Sequence, residues 1–148
     1  MLKYFMKEAL NEAQKAIEKG EIPIGAVVTR GGKIISRAHN LKEMLKDPTA
    51  HAEILAIRQA AEAVGDWRLE GCDIYVTVEP CPMCAGAIVQ ARIDRLVYGV
   101  MDLKAGACGS VFNIAREKRL NHQVEIISGI MEDDCRNLLK AFFKNLRI

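Results

Sequence analysis

Two short motifs, His51-Ala52-Glu53 and Pro80-Cys81-Pro82-Met83-Cys84, constrain what this chain can fold into more than anything else in it. Each stands where a helix is expected to begin. Residues two apart in the middle of a helix do not share a face. His51 and Glu53 therefore serve one site only if that site lies beyond the opening turn, where side chains reach past the helix end. In the second motif Cys81 reads as the cap residue, Pro82 as the first helical residue and Cys84 as one turn in. Both sulfurs can then converge just beyond that end. The fold has to bring two helix starts together.

The rest of the pattern supplies elements to do so. Phe5, Met6, Ala9, Ala13, Ala16 and Ile17 share one helical face, with Gly20 as a stop. Ile24 to Val28 and Lys33 to Arg37 read as strands, and Gly31-Gly32 between them gives a hairpin signal. After a polar stretch from Asn40 to Lys46, Asp47 as cap and Pro48 at the first helical position predict a helix running to about Gly65. Asp73 to Val78 is a third strand, Pro82 to about Arg92 a helix, and Arg95 to Gly99 a fourth strand. Residues 101 to 110 are glycine-rich and predict a loop with close backbone approach. A short helix near Val111 to Ala115, a strand near Val124 to Ile127 and a last helix complete the order. That helix carries Cys135, Leu138, Leu139, Phe142, Phe143 and Leu146 on one stripe, with acids first and the bases Lys140, Lys144 and Arg147 last. Strands alternating with helices after an opening hairpin predict a mixed sheet of about five strands, covered on both faces: a three-layer α/β/α domain.

Composition narrows the setting. At 148 residues the length fits one domain, residues 1–148. No stretch approaches the roughly 20 apolar residues of a membrane span, and the N-terminus has no sustained apolar run. A cytoplasmic protein is expected. Five cysteines, an odd number, argue against a disulfide framework and for thiolate or metal chemistry. The net charge of +2 is too small to argue for nucleic acid by itself.

One imidazole and two thiolates leave the fourth tetrahedral position of a zinc ion open for water, which marks a catalytic rather than a structural site. Helix N-termini favour the thiolate forms. Glu53 is placed to be the general base, close to the metal without entering its shell. A redox Cys-x-x-Cys wants a thioredoxin-like context, which is missing. A structural zinc wants a fourth ligand, and His39, His122, Cys72, Cys108 and Cys135 offer none at ligand spacing. Cys72 and Cys135 read as core residues and Cys108 as a small packing residue, while Trp67, Phe142 and Phe143 read as core rather than as stacking platforms. The motif order resembles the His-x-Glu…Pro-Cys-x-x-Cys signature by which zinc deaminases of the cytidine deaminase superfamily are known.

Beyond those motifs the chain resembles the bacterial tRNA-specific adenosine deaminases almost from end to end. The runs that carry this are Ile22-Pro23-Ile24-Gly25-Ala26-Val27, Asn40, Asp47-Pro48-Thr49-Ala50-His51-Ala52-Glu53 and Tyr75-Val76-Thr77-Val78-Glu79-Pro80-Cys81. Met83-Cys84-Ala85-Gly86-Ala87-Ile88, Asp102-Leu103-Lys104-Ala105-Gly106-Ala107 with Gly109-Ser110, and Asn121-His122-Gln123-Val124-Glu125-Ile126 continue it. The resemblance implies a cytidine deaminase-like fold and conversion of adenosine to inosine at the anticodon wobble position of tRNA. It also implies a homodimer with one zinc ion per subunit, held by His51, Cys81 and Cys84. By the same resemblance Asn40 would read the base, Ile24, His51 and Ala52 would pack around it, and Asp102 would meet the ribose. Lys104, Asn121 and His122 would handle neighbouring nucleotides. A deaminase of a free base or nucleoside (guanine, cytosine or cytidine) is the alternative, and a non-catalytic zinc module is a third reading that Glu53 speaks against.

Overall fold

The structure, a computed structural model, describes residues 1–146. Its elements in chain order are α1 (Leu2–Glu18), β1 (Gly25–Arg30), β2 (Lys33–His39), α2 (Lys42–Leu45), α3 (Ala52–Val64), β3 (Cys72–Val78), α4 (Pro82–Gln90), β4 (Arg95–Val100), β5 (Glu125–Ile127) and α5 (Glu132–Leu146). A single 3-10 turn spans Ile114–Arg116. The five strands form one mixed sheet in the order β2-β1-β3-β4-β5. β1 pairs antiparallel with both β2 and β3, whereas β3-β4 and β4-β5 are parallel. Gly31 and Gly32 take φ +58° and +77°, the left-handed conformations that a tight hairpin requires.

Side chains alternate across the strands and make two cores. Val27, Tyr75 and Val97 point to one face and pack with Phe5, Met6 and Ala9 of α1 and Cys135 of α5. Ala26, Val28, Ile74, Val76, Leu96 and Tyr98 point to the other, against Ala52, Ala56 and Ala60 of α3 and Ala85, Ile88 and Val89 of α4. This is the expected three-layer α/β/α arrangement with a mixed five-stranded sheet, and Cys72 and Cys135 are buried in it as expected. Among the described residues no helix is long and apolar enough to cross a membrane.

Five local expectations are corrected. The second long helix begins at Ala52, not at Pro48. Asp47 instead accepts the Thr49 N–H at 2.8 Å and the Thr49 hydroxyl at 2.7 Å, closing a turn that delivers His51 to the cap position. The polar stretch holds the short helix α2, because the buried Glu21 carboxylate accepts the N–H groups of Glu43 at 3.1 Å and Met44 at 2.8 Å. The helix expected from Val111 is postponed to Ile114, since the N–H groups of both Val111 and Phe112 turn back to the Gly106 carbonyl at 3.0 Å. Trp67 is not core: it is 54% exposed, with the Arg68 and Arg92 guanidinium carbons 4.4 and 5.8 Å from its ring centre, where cation–π attraction replaces burial. Phe143 is likewise exposed and Phe142 half-buried, and Phe143 lines an open groove with Ile24 and Val78 instead of packing into the core. Arg147 lies outside the described residues.

Candidate active site

Three strand ends and two helix starts meet at one rim of the sheet. β3 ends at Val78, and three residues later Cys81 caps α4 in an extended conformation with Pro82 in its first turn. β1 begins on the same rim, where the Gly25 N–H donates to the Thr77 hydroxyl at 3.2 Å. β2 ends beside it, with the Asn40 N–H donating to the Ile24 carbonyl at 3.2 Å. Asn40 then reaches across, and its Oδ1 accepts the Ala52 N–H of α3 at 2.7 Å. That bond ties one of the orphan donors of the α3 N-terminus to β2 and leaves the His51 ring free.

His51 Nδ1 lies 3.4 Å from Cys84 Sγ and 3.6 Å from Cys81 Sγ. Among the described residues these three form a group whose ligand atoms all lie within 4.8 Å of one another. The edges of a tetrahedron built on zinc–sulfur and zinc–nitrogen bonds are about 3.4–3.8 Å, so the two measured separations fit a zinc ion. The electrostatics favour metal binding as well. The Cys84 thiol bonded to its sulfur, together with His51, draws the Cys81 thiol down to about 4, into thiolate territory. The same pairing and burial push Cys84 up, and the Cys81 sulfur holds the His51 imidazole above its ordinary value.

Glu53 sits one residue into α3 and is 4% exposed. Burial raises its carboxyl to about 7, and the neighbouring His51 acts against that rise. A carboxyl poised near neutrality can both take and give a proton, which suits general acid–base work.

The substrate residues implied by resemblance divide into two groups. Ile24, Asn40 and Ala52 line the same rim as the ligands. Asp102 and Lys104 lie on the loop after β4, whose parallel register with β3 sets Val100 beside Val78 and so brings the loop to this rim. A groove of about 480 Å³ there is lined by Ile22, Ile24, Val78, Met101 and Asp102. One Asp102 oxygen accepts the N–H groups of Lys104 at 3.0 Å and Ala105 at 3.1 Å, fixing the turn and leaving the other free. Asn121 and His122 are elsewhere. The His122 ring nitrogen bonds the Ile93 carbonyl at 2.7 Å, just before β4 starts, at the opposite end of the sheet.

Glu79 escaped the sequence reading. Its buried carboxylate accepts the N–H groups of Asp102 at 3.1 Å, Cys108 at 3.0 Å and Ser110 at 3.1 Å, and the Ser110 hydroxyl as well. The one hint in sequence is an acid directly after a mostly apolar strand.

Comparison with known proteins agrees with this geometry. The family model described as MafB19-like deaminase matches residues 2–147. A tRNA-specific adenosine deaminase of Bacillus subtilis (strain 168) is 54% identical over 143 residues, covering 97% of this chain and 89% of its own. One of Aquifex aeolicus (strain VF5) is 51% identical over 144 residues, covering 97% and 95%. A solved structure from a study of A-to-I editing by tRNA:A34 deaminases at the wobble position superposes with a TM-score of 0.89 at 47% identity, covering 92% of this chain and 99% of that one. With two helix starts that gather a His-Cys-Cys triad beside a buried glutamate, and with identity above half to such relatives, the chain belongs to the tRNA-specific adenosine deaminase family of MafB19-like deaminases.

Proposed function

We propose that this chain hydrolyses adenosine to inosine and ammonia at the wobble position of a tRNA anticodon, as a homodimer in the cytoplasm. The observation that carries the chemistry is the convergence of His51, Cys81 and Cys84 at two helix starts with Glu53 buried alongside. The substrate assignment is supported by what the relatives at 54% and 51% identity are named to act on.

His51, Cys81 and Cys84 would hold one zinc ion per subunit. When bound, that ion supplies the Lewis acidity that lets water attack C6 of the adenine ring. Glu53 does the proton work: its carboxylate takes the proton from the water, passes it to the ring nitrogen, and delivers one to the departing amine. Burial keeps Glu53 away from bulk water, so that the proton is transferred rather than lost. Asn40 holds the first N–H of α3 in place and, through its amide nitrogen, reads the base, while Ile24 and Ala52 pack around it. Asp102 meets the ribose with its free oxygen, and Lys104 meets an adjoining phosphate. Asn121 and His122 can touch only RNA that extends far along the molecule from its own site.

The dimer reading is supported by an apolar edge. Met83 of α4 is exposed, as are Val111 and Phe112 just before the 3-10 turn that packs on α4, and a Cβ at Gly86 would meet nothing within 4 Å, so a second helix can approach closely there.

An anticodon stem-loop suits a recessed site because its loop bases are only partly stacked and are turned out at low cost. The test is incubation of the zinc-loaded protein with tRNAs bearing a wobble adenosine, followed by sequencing for inosine. Inosine at the wobble position, formed far faster than from free adenosine, is the expected result. A stem-loop with a 2′-deoxy wobble residue is expected to react more slowly, and Asp102→Asn to narrow that difference. Turnover of free guanine or cytidine with no inosine in any tRNA would overturn the assignment.

A further inference from the structure

Glu79 connects two parts of the site that the chain leaves far apart in sequence. It stands two residues before the ligand Cys81, and its own N–H continues the sheet by donating to the Val100 carbonyl at 2.9 Å. Its carboxylate turns into the loop of residues 101–110 and is 97% hidden, the residue being 3% exposed. A carboxylate offers about four lone-pair sites, and here all four are taken. Oε1 accepts the Asp102 N–H and the Ser110 hydroxyl, and Oε2 accepts the N–H groups of Cys108 and Ser110.

The loop is shaped around this one side chain. A Cβ at Gly106 would overlap the Glu79 carboxylate and the Asp102 carbonyl, so only glycine fits. The Gly106 N–H closes on the Asp102 carbonyl at 2.9 Å, and the Ala107 N–H on the Pro80 carbonyl at 2.9 Å. Asp102 is therefore held from both sides, by Glu79 at its N–H and by the turn to Lys104 and Ala105 at its carboxylate. A backbone donor shielded from water is costly to leave without an acceptor, so a loop with these three N–H groups has one favoured shape as long as Glu79 is present.

We propose that Glu79 is a positioning residue that fixes Asp102 relative to the metal-ligand segment, and thereby sets the preference for a ribose-bearing nucleotide over a deoxyribose one. Glu79 does not touch the reacting atoms. It acts through Asp102, and the inference rests on the substrate reading given above.

Glu79→Gln separates this role from plain bracing. The glutamine oxygen can keep both the Cys108 and Ser110 N–H groups, with its NH2 placed where Oε1 was. The Ser110 hydroxyl can rotate to accept from that NH2, but the Asp102 N–H then faces a donor and loses its partner. The variant should release Asp102 selectively. We expect full zinc content and a melting midpoint lowered by only a few degrees, with amide hydrogen exchange accelerated at residues 102–105 more than at 108–110. With a wobble-adenosine stem-loop, KM should rise roughly tenfold while kcat changes little, and the ribose-to-deoxyribose rate ratio should fall toward one. Ser110→Ala, which removes one donor and keeps the carboxylate, should leave both the exchange pattern and that ratio near wild type. Exchange at 102–105 and a rate ratio both at wild-type values in Glu79→Gln would overturn the proposal. So would loss of zinc or fold in Glu79→Gln, or a Ser110→Ala protein as impaired as Glu79→Gln, since either makes the cluster a general brace. If the wild-type protein forms no inosine in tRNA, the function reading fails, while the exchange measurement still decides whether Glu79 anchors Asp102.

Discussion

His51 and Cys81 both occupy helix cap positions, yet neither makes the usual side-chain cap bond. Cap residues ordinarily satisfy a free N–H of the first turn, worth about 1 kcal/mol. In α3 the Asn40 Oδ1 accepts the N–H of Ala52, the first helical residue, and α4 begins with proline, which has no N–H to satisfy. The two side chains are thereby released to converge on one point. The division of labour is testable residue by residue. Cys84→Ala removes one of the three proposed ligands, so metal analysis should show zinc falling away. Glu53→Ala removes no ligand and should keep zinc and fold, while losing the hundredfold or so that general acid–base catalysis typically contributes. Full zinc occupancy in the first variant, or wild-type turnover in the second, would contradict these roles.

At the scale of elements, the rim is built by how closely α1 lies on β1. A Cβ at Gly25 would collide with the Ala9 carbonyl and the Ala13 N–H of α1, both of them backbone atoms that cannot step aside. Gly25 also starts β1 next to Ile24 and bonds Thr77, so moving the strand would disturb the rim itself. Gly25→Ala should cost about 1–3 kcal/mol as an overpacked site. That corresponds to a melting midpoint lower by roughly 2–4 °C per kcal/mol in a chain of this size, readable by circular dichroism. An unchanged melt would mean that α1 is free to shift. At the other end of the molecule's helix set, α5 keeps Cys135 buried but leaves Phe143 at 43% exposure, in the groove that Ile24 and Asp102 also line. The apolar stripe of α5 thus serves the core at its start and the groove at its end.

For the whole molecule, a net charge of +2 gives little bulk attraction for RNA. On the proposed function, grip would come from pockets at the rim and from a second copy that enlarges the surface offered to a stem-loop. Exposed Met83, Val111 and Phe112 give the edge along which two copies would meet. Sedimentation should therefore show a dimer at micromolar protein, and Phe112→Glu should shift it toward monomer. A monomer throughout would remove the dimer from the functional reading.

Periodicity, glycine turns and the two cap-position motifs were legible in the linear order, because each depends on neighbours within a few residues. They led to the mixed sheet, its layers and the triad of His51, Cys81 and Cys84 with Glu53. The start of α3 was misplaced by that same local reasoning. Asp47-Pro48 is as good a helix start as any, and the Asp47–Thr49 turn together with the bond from Asn40 across to Ala52 sets the helix to begin later. Trp67 and Phe143 read as core by residue type, and their exposure depends on the tertiary packing around them. Residues from Glu79 to Ser110 become one cluster only because β3 and β4 run parallel, side by side. What lay within a turn of helix or a hairpin belonged to the sequence. What needed an acceptor from a distant strand, as Asp102 needs Glu79 and Ala52 needs Asn40, was decided by the tertiary structure, since a buried N–H takes whichever partner folding brings to it.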